Sequence, residues 1–316
     1  LDEKQVLKGV VNFNSTKIDA NEFMEEESTT NSDVPSVTQT DTTSMEVIPI
    51  PKNIDFKLST KIQTIEVSDM QLTAVEGKVL IKDGIADLSG LEFSTLGGQF
   101  MVSGAYNTKD IEKPGYDFKL DIKGISISES YAAFSTIQQY VPLAKTMTGN
   151  VSTKFEISGL LEQDMMPNYS TINGGGLLNV AQAALDKPKF ISDLGSLTSI
   201  AKLGGDSDKV TLKDVLMSVT IENGNVSVKP FDVNIGNYKT TVSGTTSVDG
   251  KLDYTLDMTI PAGAIGSQIN SLLSKYTGSS NTSSNIQLPI EVGGTLDQPT
   301  YKLLGATSDV KATDVA

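Results

Sequence analysis

Carboxylates are the only side chains present in numbers that could carry acid–base chemistry, and their most regular set is Asp83, Asp87, Asp117, Asp121, Asp253 and Asp257. Two carboxylates in a cleft can divide the roles of general acid and general base, because unequal environments pull their proton affinities apart. Each of these six stands beside alternating apolar residues, which places it on a solvated strand face or in a turn. There a carboxylate keeps the outer face soluble and discourages stray edge pairing, and this is the role expected of all six.

The rest of the chemical repertoire is narrow. The chain has no His, no Cys and no Trp. That removes imidazole and thiolate catalysis, and the usual zinc ligands with them. Gly174-Gly175-Gly176 leads into Leu177-Leu178-Asn179-Val180, a strand pattern, where a phosphate-binding loop would lead into a helix and carry Gly-Lys-Ser/Thr. Gly204-Gly205-Asp206-Ser207-Asp208 lacks the spaced ligands and terminal Glu of a calcium loop and reads as a helix stop followed by a loop. No Gly-x-Ser-x-Gly elbow occurs. The sequons at Asn14, Asn168 and Asn281 carry little weight without a secretory setting. The expectation is a protein that is not an enzyme, with no catalytic residue, no cofactor and no metal site.

Composition sets the frame for these side chains. A formal net charge of −14 over 316 residues repels phosphate backbones, which argues against nucleic acid as a partner. Apolar residues make up 38% and charged residues 20%, so a sizeable core is possible. No apolar run reaches the roughly 18 residues a membrane-spanning helix needs. The opening Leu1-Asp2-Glu3-Lys4 has neither an initiator Met nor a signal peptide and reads as the interior of a longer polypeptide, so any membrane anchor would lie upstream.

Period-two alternation dominates from Pro51 to Leu304. Ile54-Asp55-Phe56-Lys57-Leu58 sets three apolar side chains against two charges, and Phe118-Lys119-Leu120-Asp121-Ile122 repeats the pattern. It returns in Leu252-Asp253-Tyr254-Thr255-Leu256-Asp257-Met258 and in Ile286-Gln287-Leu288-Pro289-Ile290. Such strands belong to antiparallel sheets with one dry and one wet face. The sequence also repeats. Val79-Leu80-Ile81-Lys82-Asp83-Gly84 matches Val219-Thr220-Ile221-Glu222-Asn223-Gly224, and the same offset carries Val102-Ser103-Gly104 onto Val242-Ser243-Gly244. Asp-Gly and Asn-Gly are the preferred chemistry of tight hairpin turns. The repeats span about 78–123 and 218–259, each reading as strand, hairpin, strand, turn, strand, turn, strand.

These signals predict a mainly β fold with a few short helices, built as a long curved antiparallel sheet, a β-groove, from a duplicated strand-hairpin unit. The expected organisation is an N-terminal strand segment over 1–24 that returns to the main sheet, a low-complexity mobile loop over 25–50, the repeated domain over 51–304 and a polar tail over 305–316. Helical spacing predicts helices over 129–147, with Ser128 as N-cap and a stripe of Tyr131, Phe134, Ile137 and Val141, and over 189–203 and 264–276. They would cover or cap the dry face. A dozen strands at about 4.8 Å make a sheet roughly 50–60 Å across, and whether three short helices seal it is left open.

Three stretches carry a family resemblance. The run Gly149-Asn150-Val151-Ser152-Thr153-Lys154-Phe155-Glu156-Ile157-Ser158-Gly159 resembles the C-terminal region of the AsmA family, as do Phe231-Asp232-Val233 through Thr241-Val242-Ser243-Gly244-Thr245. The ending Leu288-Pro289-Ile290-Glu291-Val292-Gly293-Gly294-Thr295-Leu296-Asp297-Gln298-Pro299 is similar to that family's closing strand and turn. The resemblance covers about 48–304. It implies a periplasmic protein of the bacterial envelope, anchored to the inner membrane by an upstream helix, that supports outer-membrane assembly and shelters phospholipid acyl chains in an apolar β-groove. Partners would be phospholipid or another acyl lipid and envelope or outer-membrane proteins. Within that resemblance, alternation nominates Ile54, Phe56, Leu58, Phe100, Val102, Phe118, Leu120 and Ile122 as lipid-facing, with Val226, Val228, Tyr254, Leu256 and Met258 from the second repeat. A structural or protein-interaction module without lipid transport is the second reading. A carbohydrate-active protein is a third, weakened by 6% aromatic content.

Overall fold

The computed structural model describes residues 6–23, 47–186, 193, 209–235, 238–261, 285–304 and 310–311. The predicted loop over 25–50 is described only from residue 47. The predicted helices over 189–203 and 264–276 lie outside the described residues, Asp193 excepted, which is helical.

Fifteen strands are present among the described residues, in an unclosed, mostly antiparallel sheet whose strand order is the sequence order. β1 (Leu7–Asp19) stands at one end, followed by β2 (Ile54–Val67), β3 (Met70–Lys82), β4 (Ile85–Thr95), β5 (Gly98–Asn107) and β6 (Gly115–Ser126). Two short helices, α1 (Ile127–Ala133) and α2 (Ser135–Tyr140), separate β6 from β7 (Met147–Leu160). Then come β8 (Asn173–Asp186), β9 (Lys209–Glu222), β10 (Asn225–Ile235), β11 (Tyr238–Thr246) and β12 (Leu252–Pro261). β13 (Asn285–Gly294), β14 (Pro299–Leu303) and the two-residue β15 (Val310–Lys311) complete the order. The chain divides into two compact units, residues 1–122 with 156–172 and residues 123–155 with 173–316.

The duplication extends to the irregularities. Asp83 and Asn223 both take φ 49°, with Gly84 and Gly224 at 77° and 75°, so the two hairpins share one positive-φ turn. In the first copy the β4–β5 ladder shifts between Leu88 and Leu91 opposite Gly104 and Val102; in the second the β10–β11 ladder shifts between Val228 and Phe231 opposite Gly244 and Val242. Gly90 lies in the first bulge and Pro230 in the second, a position where no ladder donor is required. The copies also include one strand more than the sequence repeat. Ala74 and Asp214 both have φ 52°, and both ladders skip a pair there. β2–β3 runs Ile62↔Val75 then Thr64↔Thr73, while β8–β9 runs Val180↔Val215 then Gln182↔Lys213. Each repeat is therefore five strands, β2–β6 and β8–β12.

Two predictions about local structure need correction. β1 does return to the sheet, but it pairs parallel with β2, from Leu7↔Ile54 to Asp19↔Glu66. The helix predicted over 129–147 is three pieces, α1, α2 and a 3-10 turn at Pro142–Thr146. Its N-cap is Ser126, whose hydroxyl accepts from the Glu129 N–H at 3.3 Å. Phe134, extended at φ −118° and ψ 113°, breaks the first turn from the second. Tyr131 and Ile137 pack inward, whereas Val141 is exposed.

Gly104 (φ 136°) and Gly244 (φ 153°) mark the equivalent close approaches. A Cβ at Gly104 would overlap the Asp117 carbonyl, and one at Gly244 the Asp253 carbonyl and the Tyr254 ring. Gly90 (φ 61°) has open space around it. Gly104→Ala and Gly244→Ala should each cost about 2–3 kcal/mol by overpacking and strain, while Gly90→Ala should cost about 1 kcal/mol from its backbone angle alone. Equal losses at all three positions in urea unfolding would contradict this account of the bulge.

Candidate functional site

The dry face can be traced row by row, because residues opposite one another in a ladder share a face. In the first unit, Phe56, Ile81, Ala86 and Tyr106 form one row, and Leu58, Val79, Leu88 and Gly104 the next. Beyond the bulge, Leu91 faces Val102 and Phe93 faces Phe100, their rings stacked at 5.0 Å between centroids. The Phe56 ring lies across Gly9 of β1, so the missing Cβ of the edge strand makes room for the aromatic side chain. Ile54, Leu58, Val102, Phe118, Leu120 and Ile122 are only half-buried on this face, and Phe56 with them; Phe100 is buried.

The second unit treats the same face differently. Val228, Gly244, Tyr254, Val292 and Tyr301 form one row, and Phe231, Val242, Leu256, Ile290 and Leu303 the next. Burial is complete towards β13 and β14, where Leu256 is 8% exposed and Leu288, Ile290 and Met258 0%, while Phe231, Val242 and Val292 stay half-buried. A second cluster joins α1 and the 3-10 turn, through Ile127 and Ala144, to Val180, Ala183 and Val215 of β8 and β9. Val226, Val228 and Tyr254 are half-buried. Leu256 and Met258 are thus core residues of a sealed unit and offer no surface to a ligand.

The ladders set none of Asp87, Asp253 and Asp257 opposite another carboxylate. Asp87 lies opposite Leu80 and Ala105, Asp253 opposite Thr245, and Asp257 opposite Thr241 and Pro289. Asp83 is in its turn, and Asp117 is exposed while Asp121 is half-buried. Among the described residues no three acidic groups gather where a metal could bind. Gly174-Gly175-Gly176 lies inside β8, where a Cβ at Gly176 would overlap the Lys154 carbonyl and meet the Phe155 ring; its role is close strand packing. Gly204–Asp208 lies outside the described residues.

The wet face carries the charge. Lys61 pairs with Glu76 at 3.5 Å and Lys82 with Asp55 at 3.5 Å, each directly across the β2–β3 ladder, and Lys119 reaches Glu156 at 3.1 Å. Hydrogen bonds from Lys239 and Thr241 lower the Asp232 carboxyl below its ordinary range. Such exposed pairs are worth at most about 1 kcal/mol each and serve mainly to hold register.

Sequence reading of the dry face missed Val79, Ile81 and Leu88, which the same alternation could have supplied. It also missed Tyr106, whose hydroxyl lies 3.1 Å from the Ile48 carbonyl and 3.5 Å from Met165 Sδ. Burial raises the Tyr106 pKa.

No protein-family model, curated protein or solved structure matches the chain.

Tyr301 offers a test of how closed the second unit is. Burial, with the nearby charge of Asp193 added, raises its pKa to about 12. An unfolded tyrosine ionises near pH 10. The folded chain therefore holds this proton where the unfolded chain loses it, and stability that is full below pH ~10 drains as pH climbs towards 12. Urea midpoints measured across that window should fall less steeply in Tyr301→Phe than in the parent. Identical slopes would mean the hydroxyl is not enclosed.

Proposed function

We propose that this chain is an AsmA-like periplasmic protein that supports outer-membrane assembly, and that the dry face of its first unit shelters phospholipid acyl chains. One observation carries the reading: at equivalent positions of the duplicated face, Leu120 and Ile122 are half-buried in the first unit where Leu256 and Met258 are buried in the second. Contiguous apolar surface in contact with water is costly, and its usual use is to receive an apolar partner. An acyl chain moving from a bilayer to this face exchanges one apolar surrounding for another, at little net cost. A head group would stay hydrated at the rim. No bond is made or broken, so the role asks nothing of the scattered carboxylates. Anchoring at the inner membrane by an upstream segment belongs to the same proposal.

The second reading, an envelope interaction module without lipid, is favoured by the sealed core of the second unit, which completes itself without cargo.

Mass spectrometry of lipid extracted from the purified chain separates the two. Leu58→Asp and Leu120→Asp, on the half-buried face, should reduce co-purified phospholipid at least about tenfold with little change in melting temperature. Leu80→Asp, on the wet face at 36% exposure, should leave the lipid content as it was. Leu256→Asp should unfold the second unit, since it buries an unpaired charge. Lipid absent from the parent protein, or retained in Leu58→Asp, would sink the lipid reading.

A further inference from the structure

We propose that β1 is the surface through which two copies of this chain pair, antiparallel, about a two-fold axis at Asn12. Among the described residues β1 is an end strand of thirteen residues, long for an edge and lacking Pro. Edges of this kind are normally shortened, bulged or charged, because their free backbone groups recruit another strand. Gly9 to Thr16 contains no charged residue. Its side chains are open on both faces, Val10 at 74% exposure and Phe13 at 41%.

Backbone geometry fixes which groups are on offer. The Leu7 N–H donates to the Asn53 carbonyl at 2.9 Å, so the odd-numbered residues of β1 turn their amides towards β2. Lys8, Val10, Asn12, Asn14 and Thr16 therefore turn theirs outward. An antiparallel partner must use these even positions, and a second copy centred on Asn12 does so. Lys8 then faces Thr16, Val10 faces Asn14 and Asn12 faces its own counterpart, for about ten backbone hydrogen bonds.

The same register suits the side chains. Val11 falls opposite Phe13 on the dry side, twice by symmetry, and Leu7 falls opposite Lys17. No two like charges oppose one another, an arrangement that would destabilise the pairing. Among the described residues the opposite end of the sheet is the two-residue β15. A two-fold contact uses the same edge of both copies, so association closes as a pair and does not propagate as a filament.

The test is sedimentation equilibrium of the full chain over a wide concentration range. The parent should reach twice the monomer mass. Asn12→Pro removes one outward N–H and leaves the β2 ladder intact, so it should weaken pairing more than about tenfold while circular dichroism and melting stay as in the parent. Asn12→Lys and Asn12→Asp each set like charges face to face and should also be monomeric, and mixing the two should restore a mixed pair. That rescue does not depend on how well any proline variant folds. A parent that stays monomeric at high micromolar concentration overturns the proposal, as does an undiminished dimer in Asn12→Pro or a Lys/Asp mixture that fails to associate.

Discussion

A one-residue slip in any strand would turn its apolar side chains to water and its lysines and carboxylates to the core, so register is the constraint on which the rest of this structure depends. Several local devices hold it. The Asp83-Gly84 and Asn223-Gly224 turns set the phase of β3–β4 and β9–β10. Bulges at Leu88/Leu91 and Val228/Phe231 then reset it by the same amount in both copies. Gly104 and Gly244 admit the neighbouring backbone at the matching place. Ion pairs such as Asp55–Lys82 add small increments on the wet side, too weak to fix the fold and sufficient to disfavour its slipped alternatives.

Duplicated backbones have not kept duplicated surroundings. In the second copy Leu256, Met258 and their neighbours lie under a closed core, and Tyr254 shares a 3.1 Å hydroxyl contact with Thr246. In the first copy the positions of Thr246 and Tyr254 fall to Tyr106 and Phe118, and the surrounding aliphatic residues stay half-buried. Burying a side chain such as Leu contributes roughly 1.5–3 kcal/mol, so the second copy draws more stability from Leu256 and Met258 than the first does from the half-buried Leu120 and Ile122. A face that contributes less to folding is one that can change its contacts without unfolding the chain.

Much of this was legible in the residues. Alternation located the strands, Asx-Gly pairs located the hairpins, and a constant offset revealed the duplication. What escaped has physical reasons. β2 and β8 occupy equivalent places, yet where β2 carries Phe56 and Leu58, β8 carries Gly174 and Gly176, so sequence matching stops one strand short. Alternation is blind to strand direction, and nothing in Val10-Val11-Asn12-Phe13 distinguishes a parallel from an antiparallel neighbour. The break at Phe134 interrupts a stripe that keeps helical spacing on both sides, because a single extended residue leaves the period almost unchanged. Burial was the least legible property of all: Leu58 and Leu256 sit in indistinguishable local patterns, and only what packs above them decides their exposure.

A one-faced sheet leaves two obligations, a dry face to cover and edges to satisfy, and this chain meets each of them by half. Its second unit packs a continuous core on its own face; its first buries Ile62, Val75 and Phe100 and leaves most of the other described positions half-buried. Among the described residues, one end of the sheet is a two-residue strand and the other an edge strand of thirteen residues. Both open features fall in the first unit, where β1 and β2 meet: Phe56 rests on Gly9, and Leu7, Val11 and Phe13 carry the apolar face out to the edge. Pairing of two copies through β1 would set two such faces side by side and extend the half-buried surface across the axis. Side-chain chemistry is dispensable in that arrangement. What a ligand or partner would meet is a continuous apolar face and a ready backbone edge, and the duplicated register keeps both in place.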